Sequence, residues 1–238
     1  MTITHEAELD GLKAIGRIVA NTLQGMAQAM EPGMTTGELD GIGRAMLEAV
    51  GAYSAPEVTY DFPGATCISV NEEIAHGIPG DRVLQAGDLV NIDVSAVKDG
   101  FFADTGASFP LGEVMPRVAR LCRDGRRAME AGIAAVGHGR PLSGIGKAVG
   151  RFAASRGYTL IRNLASHGVG RALHEYPEEV ATWPNRDRRR IHRGLVLTVE
   201  RAGRDGWTLY AEPRALAVQY EHTVVATDRG ALIVTRPG

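Results

Sequence analysis

The sequence has few cysteines, little net charge and no long apolar run, and each of these absences excludes a class of protein. Two cysteines among 238 residues, Cys67 and Cys122, cannot build a disulfide framework. A formal charge of −2 offers no positive surface for nucleic acid or an anionic membrane. No apolar run approaches the roughly 20 residues that span a bilayer. The N-terminal stretch MTITHEAELDGLK is polar and acidic, unlike a signal peptide. These absences predict a cytoplasmic protein without a nucleic-acid or membrane partner.

The sequence contains alternating helix and strand patterns. Apolar residues recur at helical spacing in four segments, 6–30, 36–50, 114–131 and 142–156. Short apolar or β-branched runs predict strands at 65–70, 158–163, 194–200, 216–227 and 231–235. Residues 54–64, 71–80 and 166–179 are predicted to be irregular, because Gly, Pro and polar residues dominate them.

The order helix, helix, strands occurs twice and predicts a single α+β domain, 1–238, made of two similar halves. The segment LDGIGRA, from residue 39, resembles LSGIGKA, from residue 142, which supports a duplication with halves of about 1–112 and 113–238. Helices would then cover one face of a curved antiparallel sheet. Two such halves would meet along a central cleft, which is a usual place for a ligand.

The stretch 87–109, GDLVNIDVSAVKDGFFADTGASF, is predicted to be a β-hairpin. Asp99 and Gly100 are a typical pair for a two-residue type I′ turn, because both positions need positive φ. In that register Asp104 lies opposite Ser95, and Asp93 lies on the same face two residues away. Diagonal neighbours are roughly 7–8 Å apart at Cα, so the two carboxylates can converge. Their mutual repulsion favours a metal pair between them; the alternative is a pair of solvated edge residues.

Three further residues have positions that suit metal ligands. His167 opens the sequence His-Gly-Val-Gly, whose glycines let backbone approach a ligand closely. Glu200 ends one apolar strand pattern and Glu221 lies inside another, where a carboxylate is unfavourable unless it is paired or binds metal. One imidazole and four carboxylates suit two divalent ions, and the lack of cysteine argues against structural zinc.

Five motifs in order resemble those of type I methionine aminopeptidases: NEEIAHGIPG, the hairpin stretch, SHGVGRALHEYPE, LVLTVE and AVQYEHTVV. The similarity runs from about Leu9 to Thr235. It implies the pita-bread (creatinase/aminopeptidase) fold, with pseudo-twofold halves and a dinuclear metal centre. It also implies removal of the initiator methionine from nascent polypeptides by a monomer that holds two divalent ions (Co, Mn, Fe or Zn). A transient association with the ribosome would be compatible with that role.

The resemblance assigns a role to each candidate metal ligand. Asp93 would bind the second metal, and Asp104 and Glu221 would bridge both metals. His167 and Glu200 would complete the first. The attacking group would be a hydroxide that bridges the two metals, with Glu200 as the proton shuttle.

The resemblance also implies residues that contact the substrate. His174 would hold the scissile carbonyl and stabilise the tetrahedral intermediate, and His76 would contact the substrate amide. The methionine pocket would be lined by Phe62, Cys67 and Trp207. The alternative is a loop position for each histidine and core packing for each pocket residue.

The sequence departs from the family along the expected substrate cleft. Arg201 follows Glu200 where the family usually has Met-Pro, and the segment 201–206 before Trp207 is short. The region around Phe62 lacks the family's usual pair of tyrosines. Two other functions therefore stay open: an Xaa-Pro peptidase of the same fold, and a non-catalytic pita-bread module that binds a protein. The first usually carries an additional N-terminal domain, and the second would normally have lost metal ligands.

Overall fold

The computed structural model describes residues 1–162, 165–199, 208–210 and 215–238. The helices are α1 (Glu6–Ala29), α2 (Thr36–Glu48), α3 (Ala55–Tyr60), α4 (Pro116–Ile133) and α5 (Ser143–Ser155). The strands are β1 (Tyr53–Ser54), β2 (Cys67–Val70), β3 (Glu73–Ala75), β4 (Leu89–Lys98), β5 (Phe101–Pro110), β6 (Ser166–Gly168), β7 (Glu175–Val180), β8 (Val196–Thr198), β9 (Leu209–Tyr210), β10 (Tyr220–Thr227) and β11 (Gly230–Ile233). None of the helices in these ranges is long and apolar enough to cross a membrane.

Nine of the described strands form one antiparallel sheet. Its main order is β1-β4-β5-β10-β8-β6-β7, with β2 beside β4 and β11 beside β10. Strands β3 and β9 form a separate pair. The sheet therefore places β4, β5 and β10, which carry three of the candidate ligands, next to one another.

The β4–β5 hairpin has the register that the sequence predicts. Ser95 pairs with Asp104, and Asp93 pairs with Gly106. Asp99 has a φ of 50° and Gly100 a φ of 74°, which are the positive values that a type I′ turn needs. Asp93 and Asp104 consequently lie on one face of the hairpin.

The two faces of the central sheet differ in chemistry because side chains alternate along each strand. On β4, Val90, Ile92 and Val94 are fully buried in a core cluster that includes Leu12 and Val19 of α1. A second core cluster joins α4 and α5 to the strands of the other part of the sheet. The opposite face of β4 carries Asn91, Asp93 and Ser95. Helix packing on one face thus leaves the polar face for a site.

The helix ends follow from local sequence. Thr35 accepts the N–H of Glu38, whose carboxylate in turn accepts the N–H of Thr35, so this capping box fixes the start of α2. Gly51 and Gly157, which follow α2 and α5, have φ of 67° and 76°. Glycine adopts these left-handed values readily, and both helices end where the sequence predicts.

The prediction of irregular structure over 54–64 is wrong, because β1 and α3 occupy most of it. Ser54 caps α3 by accepting the N–H of Glu57. Both terminal nitrogens of the Arg44 guanidinium donate to the Glu57 carboxylate. This ion pair joins α2 to α3, and it depends on a tertiary contact that periodicity does not reveal.

Three further local predictions need correction. The strand predicted over 158–163 does not form within 158–162: the Tyr158 hydroxyl donates to the buried Asp124 on α4, and the Tyr158 N–H donates to Ala153 at the end of α5. The loop predicted over 166–179 contains β6 and β7, whose backbones pair at Gly168 and Glu175. The loop predicted over 71–80 contains β3. The division into halves near residue 112 stays a prediction.

Candidate metal centre and substrate pocket

Adjacent strands bring the candidate carboxylates together. Asp93 on β4 pairs with Gly106 on β5, and Gly106 pairs with Glu221 on β10. These three residues form one row across the sheet, and Asp104 lies two residues from Gly106 along β5. Gly106 has no side chain, and a Cβ there would lie 3.4 Å from the side-chain amide of Gln219. The glycine thus leaves the space that this amide occupies between the two carboxylates.

Gln219 holds two of these carboxylates in place. Its Nε2 donates to Asp93 Oδ2 at 3.1 Å and to Glu221 Oε2 at 3.2 Å. Asp93 is 5% exposed and Glu221 is 1% exposed. The role of Gln219 was not predicted from the sequence. The signal that could have found it is its position two residues before Glu221 in the predicted strand 216–227, which places both side chains on one face.

His167 completes a cluster with a geometry that suits a cation. The ligand atoms of Asp104, His167 and Glu221 all lie within 4.8 Å of one another, and all three residues are buried. His167 Nδ1 lies 3.0 Å from the carbonyl oxygen of Gly168. A carbonyl oxygen only accepts, so Nδ1 must carry the proton and Nε2 keeps its lone pair.

His167 Nε2 lies 3.9 Å from Asp104 Oδ2. Burial lowers the pKa of His167 to about 4, so the imidazole is neutral at physiological pH. A neutral imidazole nitrogen and a carboxylate oxygen that face each other are both electron-pair donors. This arrangement is typical of ligands around a divalent ion.

A carboxylate oxygen of Asp93, beside this cluster, supports a cation site independently. Asp93 Oδ1 is buried and accepts no hydrogen bond from any residue that the structure describes. A buried carboxylate oxygen in that state is unfavourable unless a positive charge lies beside it. The donor set contains oxygen and nitrogen and no sulfur. Such a set can bind Mn, Fe, Co or Zn, whereas structural zinc sites usually contain cysteine thiolates. The residues present therefore fit the divalent ions that the sequence predicts.

A cavity of about 110 Å³ opens beside this cluster. Its wall contains four of the residues that the sequence places at the substrate, and three of the candidate ligands also line it. The four are Phe62, Cys67, His76 and His174, and the three are Asp93, Asp104 and His167. Leu173, which is buried, also lines the cavity. Glu200 and Trp207 lie outside the described residues.

The two histidines that are predicted to contact the substrate, His76 and His174, are held differently. His76 has a φ of 54°, an uncommon value for a residue with a side chain and one that often marks a functional position. The ring of His174 lies 3.8 Å from the ring of His167, centroid to centroid. Burial lowers the pKa of His174 to about 3, so its imidazole is neutral at physiological pH.

Tyr60 is a second residue of this site to which sequence analysis assigned no role. Its hydroxyl lies 2.7 Å from His174 Nδ1, and it lines the same cavity. The signal that could have found it is the sequence Ser54-Ala-Pro-Glu57, which combines a helix cap with a proline in the first turn. A helix that starts there ends at Tyr60.

We expect divalent ions to stabilise the folded chain strongly. Mn²⁺ at 100 times its dissociation constant should raise the free energy of unfolding by about 2.7 kcal/mol. For a chain of this size that is a rise in Tm of roughly 5–10 °C, measured by calorimetry with and without Mn²⁺. Mg²⁺, which retains its water more strongly, is the control and should produce a smaller shift. Equal shifts with both ions would contradict a site built from these ligands.

Comparisons with known proteins identify the family. Residues 10–228 match the sequence pattern of metallopeptidase family M24. Methionine aminopeptidase 2 of Bacillus subtilis is 45% identical, over 99% of this chain and 100% of its own length. Methionine aminopeptidase of Escherichia coli is 35% identical, over 99% of this chain and 94% of its own. The crystal structure of methionine aminopeptidase from Rickettsia prowazekii matches with a TM-score of 0.92 at 32% identity, over 99% of this chain and 100% of that one. The chain therefore belongs to metallopeptidase family M24 and has its pita-bread fold.

Proposed function

We propose that this chain is a metal-dependent aminopeptidase that removes the initiator methionine from the N-termini of nascent polypeptides. The observation that carries the proposal is the shared cavity: three candidate metal ligands and the two histidines predicted to contact the substrate line the same 110 Å³ space, namely Asp93, Asp104, His167, His76 and His174. A peptide N-terminus in that space would have its first carbonyl beside the cluster. The full-length similarity to methionine aminopeptidases supports the same activity.

The cluster would hold two divalent ions. Asp93, Asp104, His167 and Glu221 supply the described ligands, and we assign Glu200 as the fifth from its motif. Ions bound there would lower the pKa of a water molecule and polarise the substrate carbonyl. Gln219 would fix the orientation of two of these carboxylates through its paired hydrogen bonds.

The cavity residues would bind and orient the substrate. His174 would donate a hydrogen bond to the oxygen of the scissile carbonyl, where negative charge develops during attack. His76 would contact the amide of the following residue. Phe62 and Cys67, together with Trp207, would form the slot for an unbranched thioether side chain, which adapts well to apolar space. Glu200 would accept and return the proton.

The setting of the enzyme follows from the same features. We place it in the cytoplasm, because Cys67 and Cys122 are buried and form no disulfide in the described structure. We propose that it acts as a monomer on chains that emerge from the ribosome. We expect neither a nucleic-acid nor a membrane partner, because the formal charge is −2.

Hydrolysis of Met-Ala-Ser by the metal-free protein, titrated with Mn²⁺, Co²⁺, Fe²⁺ and Zn²⁺, tests the proposal. We expect metal-dependent release of methionine, and no release of the first residue from matched Leu-Ala-Ser or Ala-Ala-Ser. Cleavage of only Xaa-Pro peptides would assign the chain to the other peptidases of this fold. Binding of two ions without cleavage of any peptide would contradict the aminopeptidase proposal, and failure to bind metal would favour a binding module.

A further inference from the structure

The hydrogen bond between Tyr60 and His174 has a direction that matters for catalysis. The two atoms, Tyr60 Oη and His174 Nδ1, are 2.7 Å apart, and the ring centroids are 5.7 Å apart. Partial burial raises the pKa of the Tyr60 phenol, so its proton stays on the oxygen at neutral pH. A phenol is a better donor than a neutral imidazole N–H. The hydroxyl therefore donates to Nδ1.

A donor at Nδ1 decides which nitrogen of His174 carries a hydrogen. A neutral imidazole has one N–H, so an accepting Nδ1 leaves that hydrogen on Nε2. The ring of His167, 3.8 Å away, packs against the His174 ring and restrains its plane. The contact with Tyr60 then selects the tautomer, and Nε2–H becomes the donor that His174 can offer to a substrate oxygen.

Helix α3 holds the tyrosine firmly enough for this purpose. Its start is capped by Ser54, and the ion pair between Arg44 and Glu57 joins it to α2. Asp61 ends it in a left-handed conformation, with a φ of 55°, so the chain turns directly after Tyr60. The hydroxyl is thus presented from the end of a fixed helix, and its position does not depend on a loop.

We propose that Tyr60 is a positioning residue, which fixes His174 in the tautomer that presents Nε2–H to the scissile carbonyl. The inference rests on the proposed function, because the substrate carbonyl is the acceptor in question. Tyr60 itself need not touch the reacting atoms. Outer partners that orient a catalytic or ligating histidine commonly change activity by roughly 10–100-fold when they are removed.

The test compares Tyr60→Phe with the full-length wild-type chain, in both the metal-free and the Zn²⁺-loaded protein. Nitrogen-15 NMR of labelled histidines reads the tautomer directly, and a His174→Gln variant assigns the signal. We expect His174 to be protonated on Nε2 in the wild type and to be a mixture of tautomers in Tyr60→Phe. For Met-Ala-Ser, we expect kcat to fall roughly 10–100-fold while KM stays within about twofold. Tyr53→Phe, at a residue 64% exposed on the adjacent β1, is the matched control and should change neither measurement.

Each other outcome would overturn the inference. An unchanged tautomer in Tyr60→Phe would show that the hydroxyl does not select it. A rise in KM alone would make Tyr60 a wall of the substrate pocket, and a loss of bound Zn²⁺ would make it a structural residue. The NMR measurement does not need turnover. If the wild type released no methionine, the proposed function would fail while the tautomer still tested the hydrogen bond.

Discussion

Replacing Asp104 by asparagine is expected to reduce metal-dependent release of methionine by roughly 10³-fold. Asp104 is 5% exposed, and its Oδ2 faces Nε2 of His167 at 3.9 Å. Asparagine has the same shape but no charge, and its amide group can direct hydrogens toward the place where a cation would lie. The fold should survive, because the backbone N–H of Asp104 bonds Thr223 Oγ1 whatever the side chain is.

Asp99→Asn provides a matched control within the same hairpin. Asp99 lies in the exposed turn, with a φ of 50°, and asparagine also tolerates that conformation. Calorimetric titration with Mn²⁺ should give two bound ions for this variant and for the wild type, and fewer for Asp104→Asn. Full activity of Asp104→Asn with two ions bound would contradict the proposal that Asp104 is a metal ligand.

Replacing Gly168 by alanine is expected to lower the free energy of unfolding by about 3 kcal/mol. A Cβ at this position would lie 2.4 Å from the carbonyl oxygen of Tyr176 and 2.6 Å from that of Glu175. Both oxygens belong to the backbone of β7, which pairs with β6 at this point, so the two strands would have to separate. The clash is with backbone, and no side-chain rotation relieves it.

The same substitution should also weaken metal binding. The carbonyl oxygen of Gly168 accepts a hydrogen bond from the Nδ1–H of His167, which keeps Nε2 available as a ligand, and separation of β6 from β7 would move this carbonyl. Thermal unfolding of the metal-free protein should give a Tm lower by roughly 6–12 °C. Gly144→Ala is the control, because nothing lies within 4 Å of a Cβ in that position on α5. It should leave stability unchanged or raise it by up to about 1 kcal/mol. Equal stabilities for the two variants would contradict the close approach of β6 and β7.

The hairpin could be predicted from sequence because its determinants are local. Asp99 and Gly100 set the turn, and alternation along both strands sets the faces, so the pairing of Ser95 with Asp104 follows without tertiary information. The long helices were predictable for the same reason. Their apolar periodicity and the residues that end them depend only on neighbouring positions in the sequence.

The parts that sequence reasoning missed depend on contacts between distant segments. Helix α3 is six residues long and is held by the ion pair from Arg44 on α2. Short helices of this kind are not stable by propensity alone. Similarly, nothing local reveals that Gln219 donates to Asp93, which is 126 residues away. Such roles appear only when the register of neighbouring strands is known.

The substrate side of the site was predictable only through the resemblance. Phe62, Cys67, His76 and His174 meet at one cavity because short strands, α3 and a loop converge there. Spacing along the chain gives no measure of that convergence. An effect of Arg201 on substrate preference stays a prediction. Hydrolysis of Met-Ala-Ser compared with Xaa-Pro peptides tests that preference.

The pairing of β5 with β10 also determines when the site can exist during synthesis of the chain. The hydrogen bond from the Asp104 N–H to Thr223 joins residues 119 positions apart. Glu221 therefore reaches Asp93 and Asp104 only after most of the chain has been made and the long-range strand pair has closed, which is a slow kind of step in folding. A partly synthesised or partly folded chain has a hairpin with two carboxylates but no complete ligand set. Tight binding of metal is consequently a sensitive test of complete folding.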